Sequence, residues 1–310
     1  MSLNLRQTVA DFLKSHTGER FTARQLAQWL FDNHRAACEE KRARAKQNLA
    51  DDDALVQQLV REIGANRPDI QRRFPQVRTT ETRPRQYFYS SASDEEEVAR
   101  AEGGKRGGKA PGGKVEQDLY PLLSRYLRTE FGLCSKRIDE KTASNRRGPN
   151  GNKWLYPDMV AMEDLSAEWG EEIRSCVREY GDKRARLWSF EVKLLLNRAN
   201  VREAWFQAVS NSSWANFGYL VAAEVEGNAM GELRMLAAAH GIGLIQLNVA
   251  DPSESEIVIP ARERPAIDWD SCNRLAEENK DFRAFVKLVR QFHQTGDLPA
   301  GDWDLPGEDE

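Results

Sequence analysis

The sequence has little of what builds disulfide frameworks or zinc sites. It contains four cysteines in 310 residues, and no two of them form a CxxC pair. The four histidines form no HxxxH motif and no grouping with cysteine. These absences disfavour structural zinc, a disulfide network and a histidine-ligated metal centre, and they fit a reducing, cytoplasmic environment.

Long apolar runs are also missing. No stretch approaches the roughly 20 apolar residues that a membrane-spanning helix needs, and the first residues show no signal-peptide pattern. The composition, 40% hydrophobic and 30% charged, is typical of globular proteins. We therefore expect a cytoplasmic protein without a membrane partner, and the length favours two domains.

Charge is distributed unevenly along the chain. Residues 1–90 contain 16 Lys and Arg against 11 Asp and Glu, a balance of +5. The remainder contains 29 against 38, a balance of −9. A basic N-terminal part joined to an acidic body is compatible with nucleic-acid contact through the first part.

Residues 1–90 show three amphipathic helical patterns followed by two strand-like stretches. The third helix is predicted from Asp51 to about Gly64, and the strands over Ile70–Val77 and Arg83–Tyr89. Three helices followed by a basic hairpin resemble a winged helix-turn-helix, whose third helix enters the major groove while the hairpin contacts the backbone. The alternative is a solvated face on a module that binds protein. The candidate DNA contacts are Gln57, Arg61, Arg72, Arg73, Arg83 and Arg85.

Residues 91–114 are predicted to be a flexible linker, because an acidic run is followed by a segment of glycine and lysine that cannot form a core. We expect a second domain over 115–295, which ends in a helical extension. The acidic segment 296–310 is expected to be a disordered tail.

The most informative stretch is Trp188–Leu194. Its large apolar residues alternate with polar ones, as in a strand, so Glu191 and Lys193 share the other face. A second predicted strand, Lys153–Met162, carries Asp158 within an apolar run. Such charges are costly on buried strands unless a partner or an ion compensates them. If the strands are neighbours, the three charges converge and can form a site for a hard divalent cation and an activated water.

The order helix, strand, strand, strand, helix, strand, with Pro157-Asp158 on one strand and Glu191-Val192-Lys193 on the next, resembles the PD-(D/E)xK nuclease superfamily. The resemblance covers roughly residues 115–250 and departs from short members by the charged insert 164–185. It implies an α/β chain in which the winged helix-turn-helix is joined to a restriction-endonuclease-like αβββαβ core with a mixed central sheet.

The resemblance also implies metal ligands. Asp158, Glu191 and the Val192 carbonyl would bind one or two Mg²⁺ ions, for which Mn²⁺ could substitute. Glu116, on the preceding helix, would be an accessory ligand. The alternatives are a turn role for Asp158, a surface ion pair for Glu191, and a helix-dipole role for Glu116.

Further residues are assigned to the reaction by the same resemblance. Lys193 would position or deprotonate the attacking water, and Gln207 would orient this lysine or a phosphate. A basic loop lies before the Asp158 strand and is either a phosphate contact or an ordinary solvated loop. Its candidate contacts are Lys141, Arg146 and Arg147.

The predicted function is a Mg²⁺-dependent endonuclease acting on double-stranded DNA, as a homodimer where both strands are cut. The two-part layout is similar to that of bacterial restriction-associated proteins, which suggests restriction or phage defence. Two alternatives stay open. One is a non-catalytic DNA-binding regulator with a degenerate nuclease domain, and the other is a repair nuclease for branched or single-stranded DNA.

Overall fold

The computed structural model describes residues 4–44, 51–81, 83–102, 115–144, 155–298 and 300–304. The chain divides into two compact units. The first comprises Met1–Glu96 with Val225–Gly227, and the second comprises Glu97–Glu224 with Asn228–Glu310. None of the helices in the described ranges is long and apolar enough to cross a bilayer.

The first unit combines helices with a small antiparallel sheet in the strand order β1-β3-β2. Three of the helices bury an apolar stripe in a common core, in which Leu13, Leu30 and Leu59 are fully buried. The elements are α1 (Leu5–Ser15), β1 (Arg20–Thr22), α2 (Ala23–Asn33), α3 (Arg35–Arg44), α4 (Asp52–Arg73), β2 (Val77–Thr79) and β3 (Gln86–Tyr89).

Three parts of this unit differ from the sequence prediction. Four helices precede the hairpin in the described residues where three were predicted, because α2 ends at Asn33 and Arg35–Arg44 forms a separate helix. The strand predicted over Ile70–Val77 is wrong, because α4 continues past Pro68 to Arg73 and only the last residue belongs to β2. Ile70 is fully buried in the core, so its packing favours the helical turn after the proline. Strand β1 was not predicted, since three residues are too few to show an alternation.

The acidic part of the predicted flexible linker is instead helical, forming α5 (Asp94–Glu102). Ser93 and Glu96 each accept a hydrogen bond from the other's backbone N–H, which is a capping box that starts a helix. Ala101, near the end of α5, is buried. Residues 103–114 lie outside the described residues.

The second unit is an α/β structure around a mixed sheet, which confirms the predicted fold class at that level. The described strands have the order β4-β5-β6-β7-β8-β9. Strands β4, β5 and β6 pair antiparallel, β7 and β8 pair parallel, and β9 pairs antiparallel with β8. The elements are α6 (Leu119–Phe131), β4 (Cys134–Arg137), β5 (Met159–Asp164), α7 (Glu171–Tyr180), β6 (Ala185–Leu196), α8 (Val201–Asn211), β7 (Phe217–Val225), α9 (Met230–His240), β8 (Gly243–Gln246), β9 (Glu256–Ile259), α10 (Trp269–Glu278) and α11 (Lys280–Thr295).

The sheet is covered on both faces. Phe190 and Val192 of β6 pack with Leu123 and Leu127 of α6 on one side. On the other side, the Ser189 hydroxyl of β6 donates a hydrogen bond to a carbonyl of α8. The polar face of β6 therefore points towards α8 and away from solvent.

The C-terminal segment predicted as a disordered tail is ordered where the structure describes it. The Trp303 side chain is buried among residues that include Phe285. The backbone N–H of Asp304 donates to Ser135 O, and its carboxylate accepts from the backbone N–H of Arg137. Burial of the tryptophan indole explains why this short acidic stretch is held in place. Residues 305–310 lie outside the described residues.

Candidate active site

Asp158 directly precedes the first residue of β5 and lies beside β6. Its backbone N–H donates to Phe190 O at 3.1 Å. Its Oδ2 atom accepts a hydrogen bond from the backbone N–H of Val192 at 2.7 Å. The pairing of Met159 with Phe190 thus places the Asp158 carboxylate beside the predicted Glu191-Val192-Lys193 motif.

Glu191 and Lys193 project from the polar face of β6 and form a buried ion pair. Lys193 Nζ lies 2.6 Å from Glu191 Oε1, and the side chains are 15% and 0% exposed. Both side chains are therefore largely withdrawn from water. An edge-strand surface pair is excluded, since β6 lies between β5 and β7.

The second oxygen of Glu191 is bonded by a residue that the sequence interpretation did not identify. Asn211 Nδ2 donates to Glu191 Oε2 at 2.6 Å. Asn211 is buried at the end of α8, and its Oδ1 atom has no hydrogen-bond partner among the described residues. The predicted Gln207 lies one turn earlier and lines a cavity next to Lys193.

Glu116 reaches the same place through Tyr120, a second residue that the sequence did not reveal. Glu116 begins a 3₁₀ turn, Glu116–Asp118, ahead of α6. The Tyr120 hydroxyl lies 3.1 Å from Glu116 Oε1 and 3.5 Å from Asp158 Oδ1. The hydroxyl therefore donates to Glu116 and lies within reach of Asp158, while the Arg137 guanidinium lies 4.7 Å from the centroid of the tyrosine ring.

These residues surround a cavity of about 340 Å³. Its lining includes Glu116, Asp158, Lys193 and Gln207, together with Glu140, which was not predicted. Glu191 lies behind Lys193 and is not part of the lining. The structure thus brings together all five predicted catalytic side chains, four on the wall and one beneath it.

The electrostatics of this cavity favour a bound cation. Burial raises the pKa of Asp158 to about 6, an effect that Lys193 opposes and Glu116 reinforces. Burial and the Asp158 charge raise the pKa of Glu191 well above its ordinary value, against the opposing effect of Lys193. Both carboxylates are thus held in a place where negative charge is costly.

Lys193 is a cation at this site. Burial by itself would lower the pKa of Lys193, but the charges of Glu191 and Asp158 outweigh it, and the pKa is raised. A charged ammonium donates hydrogen bonds and cannot accept a proton. In this arrangement Lys193 can orient a water or a phosphate oxygen, and it becomes a base only where another cation lowers its pKa.

The donor set fits a hard divalent cation that retains water ligands. Among the described residues, no three His, Cys, Asp or Glu side chains form a ready-made metal cluster. Mg²⁺, however, is commonly held by one or two carboxylates with several waters and substrate phosphate oxygens. Asp158 and Glu116 supply carboxylates at the cavity wall, whereas both oxygens of Glu191 are bonded, one by Lys193 and one by Asn211.

The predicted DNA contacts in the first unit differ in their surroundings. Arg61, Arg73 and Arg83 are exposed. Arg72 pairs with Asp69, and Arg85 Nη2 lies 2.7 Å from Glu81 Oε2. Gln57 is half-buried. Their charges are therefore partly neutralised within the unit.

Of the three phosphate contacts predicted in the basic loop, only Lys141 belongs to the described residues. Lys141 is exposed on a 3₁₀ turn, Glu140–Thr142, whose first residue lines the cavity. This position is suited to a phosphate contact beside the site. Arg146 and Arg147 lie outside the described residues.

Comparison of the chain with protein-family models, with curated proteins and with solved structures finds no match. Function is therefore inferred from the geometry and charge of the site.

Proposed function

We propose that this protein is a Mg²⁺-dependent DNA endonuclease whose catalytic part is the second unit, a PD-(D/E)xK-type core. The observation that carries the proposal is the convergence of Asp158, Glu191 and Lys193 at one buried point between neighbouring strands. Three ionisable groups withdrawn from water are a costly arrangement for a purely structural core, whereas carboxylates beside a cationic side chain suit metal-assisted phosphodiester hydrolysis.

Each side chain has a role that follows from its position. A divalent cation bound by Asp158 and Glu191 would polarise the scissile phosphate and lower the pKa of a bound water. Lys193, once released from Glu191, would donate a hydrogen bond to the attacking water or to a phosphate oxygen. Glu116, held by Tyr120, would bind the cation directly or through water.

Gln207 would contribute from the wall of the same cavity. It is half-buried on α8 and shares the cavity with Lys193. Its side-chain amide can donate to a phosphate oxygen and accept from the ammonium. We assign it an orienting role for the lysine.

The first unit would deliver the catalytic part to DNA as a winged helix-turn-helix module. Helices followed by paired strands β2 and β3, with β1 completing the sheet, support this assignment. Exposed Arg61 on α4 would face the major groove, and exposed Arg83, between β2 and β3, would contact the backbone. A restriction or phage-defence role is part of the same proposal.

The test is cleavage of supercoiled plasmid by the full chain in Mg²⁺ and in EDTA, on modified and unmodified DNA. We expect Mg²⁺-dependent nicking that Asp158→Asn abolishes while DNA binding persists. The matched control is Glu256→Gln, an exposed carboxylate on β9 of the same sheet, which should cut like the wild type. Equal cutting by Asp158→Asn would refute the mechanism. Binding of DNA without any Mg²⁺-dependent cutting would favour the non-catalytic regulator.

A further inference from the structure

A second and larger cavity lies next to Tyr120 in the same unit. Its volume is about 570 Å³, within the range of small-molecule sites. Its walls come from α6, β4, the start of β5, α11 and the C-terminal segment near Asp304. The proposed function does not by itself use this space.

Tyr120 links this cavity to the carboxylates of the active site. Its hydroxyl contacts the carboxylates of Glu116 and Asp158, and the residue also lines the larger cavity. A molecule in that cavity is therefore separated from the carboxylates by one aromatic side chain. This arrangement suits a substrate strand whose scissile phosphate lies at the carboxylates and whose adjacent nucleotide lies in the larger cavity.

The walls combine three kinds of chemistry. Pro121 and Leu122 provide apolar surface, and Arg125 and Arg137 provide positive charge. Asp281 provides a carboxylate, whose Oδ2 atom accepts from a backbone N–H and from a threonine hydroxyl of the loop after β4. Apolar surface, guanidinium and carboxylate together match a flat heterocycle that carries amino groups and a phosphate.

The cavity wall near the C-terminal segment is preformed by hydrogen bonds within the protein. Lys136 Nζ donates to Asp302 O at 3.1 Å, and Asp304 is fixed to β4 by backbone hydrogen bonds. Trp303, which stands between Asp302 and Asp304 in the sequence, is buried. A preformed wall lowers the ordering cost of binding.

We propose that this cavity binds one nucleotide of the DNA strand next to the phosphate that is cut. The proposal rests on the proposed function, since that function supplies the substrate class. The base would lie against Pro121 and Leu122 with its exocyclic amino group towards Asp281, and the phosphate would pair with Arg125 or Arg137. Carboxylates accept from the amino group of cytosine, so bases that carry an amino group bind more tightly than thymine.

The experiment measures binding of dCMP, dTMP, deoxycytidine and inorganic phosphate to the full chain in EDTA, by calorimetry and ligand-observed NMR. Two variants and one control probe the cavity. Leu122→Trp fills it, Leu122→Met conserves its volume, and Arg125→Glu reverses a charge on the exposed side of α6. Melting temperatures establish that each variant folds.

We expect saturable dCMP binding that Leu122→Trp abolishes and Leu122→Met retains. Arg125→Glu should weaken dCMP roughly tenfold or more, the loss of a charge-assisted contact, and should affect deoxycytidine less. This exposed substitution carries the test if Leu122→Trp does not fold. The order of affinities should be dCMP above dTMP.

Three results would overturn the proposal: no dCMP binding to the wild type, dCMP binding unchanged in a folded Leu122→Trp variant, or inorganic phosphate binding as tightly as dCMP. Because the binding assay contains no metal, it is independent of the plasmid assay. Cleavage without dCMP binding would refute the proposed nucleotide subsite and support the nuclease function. Binding of dCMP without cleavage would refute the nuclease function and support a nucleotide-binding site.

Discussion

Replacement of Lys193 by methionine is the sharpest perturbation of the site. The substitution keeps most of the aliphatic stem and removes the ammonium that lies 2.6 Å from Glu191 Oε1. Breaking a buried ion pair costs about 3–5 kcal/mol, because the remaining charge is left uncompensated. For a domain of this size, that free energy corresponds to a fall in melting temperature of about 6–20 °C.

The loss should depend on metal and on pH. In EDTA, Lys193→Met leaves Glu191 without its cation, and at low pH protonation of Glu191 reduces the cost. In Lys193→Met, Mg²⁺ can replace the missing positive charge, because no ammonium competes with it for Glu191. We therefore expect millimolar Mg²⁺ to raise the melting temperature of Lys193→Met more than that of the wild type, while plasmid cleavage is lost.

The assay is thermal unfolding of the full chain in EDTA and in Mg²⁺, with Lys287→Met as control. Lys287 is exposed on α11, so its substitution should change the free energy of unfolding by no more than about 0.5 kcal/mol. An unchanged melting temperature of Lys193→Met in EDTA would refute the ion pair. A Mg²⁺ shift no larger than in the wild type would refute displacement of the ammonium by the metal.

Three further substitutions test the surroundings of the carboxylates. Because the folded-state pKa of Asp158 is raised to about 6, its stabilising contribution is full below about pH 4 and lost as pH rises through about 6. Asp158→Asn should therefore flatten the pH dependence of unfolding in EDTA by up to about 3 kcal/mol, and an unchanged profile would contradict the shift. Tyr120→Phe removes the hydroxyl and should weaken Mn²⁺ binding and cleavage roughly tenfold, whereas Tyr126→Phe, also buried on α6, should leave both unchanged; equal effects would show a packing role only. Asn211→Ala should lower the free energy of unfolding by about 1–3 kcal/mol in denaturant titrations, and a smaller loss would argue against its bond to Glu191.

The sequence was sufficient to predict the strand that carries Glu191 and Lys193. The strand predicted over Lys153–Met162 is wrong in its bounds, because β5 spans Met159–Asp164 and Asp158 stands directly before it. The alternation through Trp188–Leu194 and the lone Asp158 are local patterns, and the structure pairs β5 with β6 as neighbours. Glu191 and Lys193 share a face because side chains alternate along any strand. The mixed α/β class follows from the same reasoning.

Residues that complete the site through tertiary contacts could not be predicted. Tyr120 stands on the apolar stripe of α6, where an aromatic residue is typical of core packing. Asn211 stands at the end of α8, where asparagine is typical of a helix terminus. Only the folded arrangement shows that each one donates a hydrogen bond to a carboxylate of the site.

Elements stabilised by single buried side chains were missed for the same reason. Trp303 lies in an acidic, glycine-containing segment whose composition indicates disorder, yet its indole is buried. The helix α5 stands in a segment of linker-like composition and starts at a capping box. In both cases one packing contact or cap outweighs the composition of the segment.

The central claim is that the carboxylates of Asp158 and Glu191 hold one divalent cation beside Lys193. Mn²⁺ titration followed by electron paramagnetic resonance measures this directly on the wild type, Asp158→Asn, and the exposed control Glu256→Gln. The account predicts Mn²⁺ bound by the wild type and the control, and affinity at least about tenfold lower in Asp158→Asn. Equal Mn²⁺ affinity in all three proteins would contradict it.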